Sequence, residues 1–169
     1  NEPMTPYELA LSNVLCIGDS LTRGAYYING WTGYPIEQDY PFYLSKITNQ
    51  DVANLGVSGS SPITWNEKYL SNTDFSNYDV FIIWFGTNGG LTDTIDVDVD
   101  AYESFEDYAN TNTGSYCKLI ETIKSQNENA VIVLCNIFKA SNSGEDVTDI
   151  TNEVLEKIYR NKDAEKIPF

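Results

Sequence analysis

The sequence contains no histidine. With no imidazole, and with its cysteines scattered, it offers no ordinary ligand set for zinc. It also lacks the usual proton acceptor of a nucleophilic serine. Basic residues are scarce: 10 Lys and Arg stand against 25 Asp and Glu, a net charge of −15 and a pI near 4.1. That balance excludes a phosphate-backbone partner, whose binding rests on Lys and Arg, and an anionic membrane surface. There are three cysteines, far apart and without a Cys-x-x-Cys pair; Cys16 and Cys135 lie in apolar runs and read as small core residues, and Cys117 falls on a helix. The longest strongly apolar run, Val80 to Phe85, is far too short to span a bilayer, and no signal-peptide pattern begins the chain. No Gly-x-Ser-x-Gly elbow, no phosphate-binding Gly-x-x-x-x-Gly-Lys-Ser/Thr loop and no Gly-x-Gly-x-x-Gly after a strand occurs.

What is present is a globular composition, 41% hydrophobic over 169 residues. That length suffices for one domain with a sizeable core. Residues Thr5 to Ser12 suit a short helix. The run Val14-Leu15-Cys16-Ile17 then stops at Gly18-Asp19-Ser20 and predicts a buried strand. Residues 24–35, rich in Gly and aromatics without a clean period, read as a loop. Tyr40, Tyr43, Leu44 and Ile47 recur at helical spacing, with Pro41 at the start. A strand over Asp51 to Leu55, a helix near Trp65 to Leu70 and the strand Val80 to Phe85 follow. Then come a helix marked by Tyr116, Leu119, Ile120 and Ile123, a strand over Ala130 to Cys135, and a helix from Val147 to Ile158 capped by Thr148 or Asp149. Ile167-Pro168-Phe169 reads as the beginning of another strand. Strands alternating with helices predict a three-layer α/β/α domain with a parallel, flavodoxin-like sheet spanning residues 1–169.

Three strands end in small or polar clusters: Gly18-Asp19-Ser20, Gly56 to Ser61, and Gly86-Thr87-Asn88. In a parallel sheet such ends lie along one edge and can converge. Acyl transfer needs a nucleophile there, and donors where the oxyanion forms. Ser20 is the candidate nucleophile; the backbone N–H groups of Ser20 and Gly59 and the Asn88 amide are the candidate donors. Asp19, Trp31, Tyr34 and Thr87 are candidate lining residues. Tyr26, Tyr27, Trp31 and Tyr34 form an aromatic group that suits an acyl or sugar site, although such residues also serve simple packing. Taken singly, Ser20 reads equally as a helix cap, Asn88 as a turn former and Gly59 as a loop glycine.

Gly18-Asp19-Ser20-Leu21, Asn54-Leu55-Gly56-Val57-Ser58-Gly59 and Gly86-Thr87-Asn88 resemble, in order, the first three blocks of the GDSL or SGNH hydrolase family. The resemblance implies that Ser20 attacks esters and that Gly59 and Asn88 complete the oxyanion hole, with no cofactor and no metal. The family's fourth block, an Asp-x-x-His after a last strand, has no counterpart: Asp146 and Asp149 precede a helix and no histidine follows. The expectation is therefore a domain truncated at its C-terminus, lacking a last strand, the Asp-x-x-His loop and a final helix, and a weak or inactive catalyst in this form. The resemblance implies a small ester as substrate, and the Gly/Ser clusters and tyrosines favour an acylated carbohydrate. The competing reading is a non-catalytic binding or structural module of a cell-surface or phage-tail protein, consistent with an acidic extracellular piece. A flavin- or nucleotide-binding domain is a third. Asp96-Val97-Asp98-Val99-Asp100 with Asp107 approaches a calcium loop's spacing, but Ala101 stands where that loop needs glycine and Asp107 where it needs a bidentate Glu.

Overall fold

The computed structural model describes residues 12–28, 30–34, 38–91, 110–138, 145–162 and 165–167. The expected helix over Thr5 to Ser12 and the acidic Asp96 to Asp107 segment fall almost wholly or wholly outside these residues. The elements are β1 (Val14–Gly18), α1 (Ser20–Arg23), β2 (Tyr26–Ile28), β3 (Trp31–Gly33), α2 (Tyr40–Thr48), β4 (Val52–Gly56), α3 (Pro62–Tyr69) and β5 (Val80–Trp84). They continue with α4 (Asn112–Gln126), β6 (Val131–Cys135), α5 (Glu145–Asn161) and β7 (Glu165–Ile167). β4, β1, β5, β6 and β7 lie side by side in that order, every neighbouring pair parallel.

The continuous apolar strands are explained by this arrangement, because both faces of a parallel sheet are covered. Alternation sends Leu15, Ile17, Phe81, Ile83, Ile132 and Leu134 into one cluster with Trp65, Tyr116, Leu119, Ile120, Ile123, Val154, Leu155 and Ile158. These partners come from α3, α4 and α5. Val14, Cys16 and Val80 turn to the other face, where Tyr40 and Leu44 of α2 pack beside Ile82, Val131 and Val133. The result is the three-layer α/β/α architecture expected from the alternation.

Register positions the site. Gly18 lies opposite Gly56 on one side and Trp84 on the other, so β1, β4 and β5 finish level with one another. The segments that follow them all emerge at that one edge.

Four expectations are corrected in detail. The stretch read as a loop holds an antiparallel hairpin, with Tyr26 opposite Gly33 and Ile28 opposite Trp31. Two residues, Asn29-Gly30, separate its strands; Asn-Gly between aromatic and β-branched residues is a strong hairpin signal, and Gly30 has φ +84°. On α2, the helical spacing covers two neighbouring stripes, and only that of Tyr40 and Leu44 meets the sheet; Tyr43 and Ile47 are exposed. α5 begins at Glu145, so Thr148 and Asp149 lie within it rather than capping it, and Thr148 is buried. The last strand forms over Glu165–Ile167, slightly earlier than expected.

Candidate active site

Ser20 opens α1, a single helical turn set directly on the end of β1. Such a short helix is held by its ends. Asp19 caps it, its Oδ1 accepting the Leu21 N–H at 2.9 Å. At the other end Gly24 adopts a left-handed conformation, and the Ala25 N–H reaches the Ser20 carbonyl at 2.8 Å. Ser20 is thereby fixed, half-buried, at the edge where the strands finish.

The Asp19 carboxylate is 1% exposed. Its Oδ2 accepts the Thr87 hydroxyl and, at 3.3 Å, the Asn88 Nδ2. The same Nδ2 donates to the Ser60 carbonyl at 3.1 Å. One amide thus joins the residue before Ser20 to the residue after Gly59, across 69 and 28 positions of sequence. Burial pushes the Asp19 carboxyl above the usual carboxylate range, while the Thr87 hydroxyl and the Leu21 N–H partly offset the shift.

Asn54 makes a second tie. Its Nδ2 donates to the Thr22 carbonyl at 2.9 Å, and its Oδ1 accepts the Gly56 N–H at 2.8 Å. Asn54 so binds α1 to the end of β4. Below this point the Trp65 indole N–H donates to the Leu55 carbonyl at 3.0 Å. The turn after β4 then runs into α3 through a capping box between Ser61 and Thr64, with Pro62 in the first turn. Within that turn Gly59 has φ +75° and is exposed.

The turn carrying Asn88 is anchored from beneath. The Leu91 N–H donates to the buried Thr151 hydroxyl at 3.1 Å, and Asn112 Nδ2 donates to the Gly90 carbonyl at 3.2 Å. Tyr34 borders the turn after β4: its hydroxyl is hydrogen-bonded to Ser58 Oγ, and the Arg23 guanidinium carbon sits 4.3 Å above its ring centroid.

The structure therefore sets Ser20, Gly59 and Asn88 on the three segments leaving the same sheet edge. Of the lining candidates, Tyr34 stands at that rim. Asp19 is buried, with both carboxylate oxygens accepting hydrogen bonds. Thr87 directs its hydroxyl to that same carboxylate. Trp31 starts β3, and its side chain lies outside the described residues. Sequence reasoning missed Asn54 and Ser60 as ties and the Arg23–Tyr34–Ser58 arrangement. Asn54 was visible only as part of a block, and nothing local signalled the other pairings. Among the described residues no group of three Cys, Asp or Glu is placed to hold a metal ion.

The sequence profile of the GDSL-like lipase/acylhydrolase family matches residues 16–169, and the chain belongs to this family of carboxylic-ester hydrolases. Solved structures share the fold. AlinE4, an SGNH-hydrolase family esterase, is 19% identical with a TM-score of 0.63, over 92% of this chain and 75% of its own. The lipase/acylhydrolase from Enterococcus faecalis is 16% identical with a TM-score of 0.60, over the same two shares. No curated protein matches the chain in sequence.

Proposed function

We propose that Ser20 is the nucleophile of an esterase that works through an acyl-enzyme. Its Oγ adds to the ester carbonyl carbon, the C–O bond to the alcohol then breaks, and water later releases the acid by the same route. The oxyanion is met by the backbone N–H groups of Ser20 and Gly59 and by the Asn88 amide. The observation that carries this reading is the double tie of Asn88 to Asp19 and Ser60, the direct neighbours of the other two donors. Of those two bonds the 3.3 Å one to Asp19 is the longer and weaker, and it is the one an oxyanion replaces.

No imidazole exists among the 169 residues, and both oxygens of Asp19 are occupied by donors. The serine proton therefore goes to water or to a group outside these residues. Loss of a positioned base typically costs about 10²–10⁴-fold in rate, so this polypeptide is a slow catalyst. Acetyl esters of carbohydrates are the favoured substrates, on the small exposed residues Ser58 and Gly59 of the turn after β4 and on Tyr34 at the rim.

The experiment is release of p-nitrophenol from p-nitrophenyl acetate, with intact-mass detection of the acetylated protein, for the natural chain and Ser20→Ala. Acetyl transfer confined to the natural chain supports the reading. The lack of histidine favours a second one, a recognition module with the same fold; equal background rates for the two proteins, with no acetyl adduct, would select it.

A further inference from the structure

We propose that Arg23 makes this site prefer esters bearing a negative charge, a carboxylate, sulfate or phosphate, close to the scissile bond. The inference rests on the esterase reading and adds a substrate class to it. Ser20 and Arg23 are three residues apart on α1, a spacing that puts both side chains on the same side of the turn. The guanidinium lies over the ring of Tyr34 at 4.3 Å, and Tyr34 is itself held by Ser58, the residue before Gly59. The cation is thus parked between the nucleophile's helix and the turn proposed to supply an oxyanion donor.

Stacking uses the face of the guanidinium and leaves its N–H edge in plane, in the fork geometry that matches a carboxylate, sulfate or phosphate bidentately. Arg23 is exposed and makes no ion pair among the described residues. The chain has only two arginines, and the other, Arg160, is spent on Glu156 at 3.1 Å within α5. A net charge of −15 repels anions from the molecule as a whole. At physiological salt, however, exposed charges further off than about 8 Å are largely screened. The charges that an incoming anion meets are then the local ones; Arg23 supplies the cation, with the Asp39 side chain packed beside Gly24.

The test compares kcat/KM, or the rate of acyl-adduct formation, for three aryl esters. p-Nitrophenyl acetate is neutral, p-nitrophenyl hemisuccinate carries its charge on the acyl side, and p-acetoxybenzoate carries it on the alcohol side. For the natural chain, KM for one anionic ester is expected to rise steeply with added sodium chloride while that for the acetate does not. Arg23→Gln should lower kcat/KM for that ester by about tenfold more than for the acetate, chiefly through KM, as expected for loss of one charge-assisted contact. Arg23→Lys should restore part of the difference, and Lys68→Gln, on the exposed side of α3, should leave the ratio unchanged. Which anionic ester responds identifies the side of the ester that carries the charge. An equal loss on all three esters with Arg23→Gln would make Arg23 only a tie between loops and overturn the proposal, as would a ratio that does not move. Absence of Ser20-dependent reaction with any of the three would remove the esterase reading, and this inference with it.

Discussion

The end of β4 and the turn just beyond it are three residues apart and are built on opposite terms. At Gly56 there is no room: a β-carbon would lie 2.2 Å from the Arg23 nitrogen and 2.7 Å from the Thr22 carbonyl carbon. At Gly59 a β-carbon would meet nothing within 4 Å among the described residues, and the constraint is instead φ +75°. The first glycine lets two backbones touch, so that Asn54 can fasten α1 to the sheet. The second, exposed and at positive φ, shapes the turn without adding a side chain to it. The strand end is made rigid by crowding, and the turn is left open for a ligand.

The largest expected effect comes from closing the crowded position. Gly56→Ala forces the backbone of α1 away and should destabilise the fold by about 1–3 kcal/mol or more. It should appear as a lower denaturant midpoint with an unchanged slope, and Ser20-dependent acylation should fall with it. Asn54→Ala removes both ties at the same place. It leaves the Thr22 carbonyl and the Gly56 N–H unpaired, and a loss of about 1–3 kcal/mol is expected from chemical denaturation.

Gly59→Ala sharpens the contrast. Its stability cost is limited to the left-handed backbone, about 1–2 kcal/mol. Its effect on acylation should be out of proportion to that cost, because the turn relaxes and its N–H turns aside. If melting and acylation instead fall in step, as predicted for Gly56→Ala, the two positions do not differ in kind.

The smallest effect is on a slope. The Asp19 carboxyl is raised in the folded state, so the folded protein holds that proton more tightly than the unfolded chain. Its contribution to stability is complete below the ordinary carboxylate range and is lost as pH rises through the raised folded value. Asp19→Asn keeps the helix cap and removes the titration. The part of the fall in stability that Asp19 causes across this acidic window should vanish, as measured by denaturation at a series of pH values.

The sheet was legible in the sequence because β1, β5 and β6 are short β-branched runs without polar interruption, which few other structures accommodate. The hairpin of β2 and β3 is signalled only by Asn29-Gly30, because its strands are three residues long and a two-residue turn has no period. The start of α5 was placed too late because Thr148 is a cap by residue type but a core residue by position. At the site, Ser20, Gly59 and Asn88 were legible as clusters closing predicted strands. The wiring was not: Thr87 and Asn88 meet Asp19 across 68 and 69 residues. Such a pairing is decided by which strands become neighbours and has no local signature. For the same reason the burial of Asp19 has no local signature.

Cys16, Cys117 and Cys135 are all buried and unpaired, and burial pushes each thiol up to about 12. Thiolate, the form that reacts with peroxides, disulfides and alkylating agents, is therefore almost absent at neutral pH. Electrophilic labelling of the folded chain is therefore expected to spare these three cysteines.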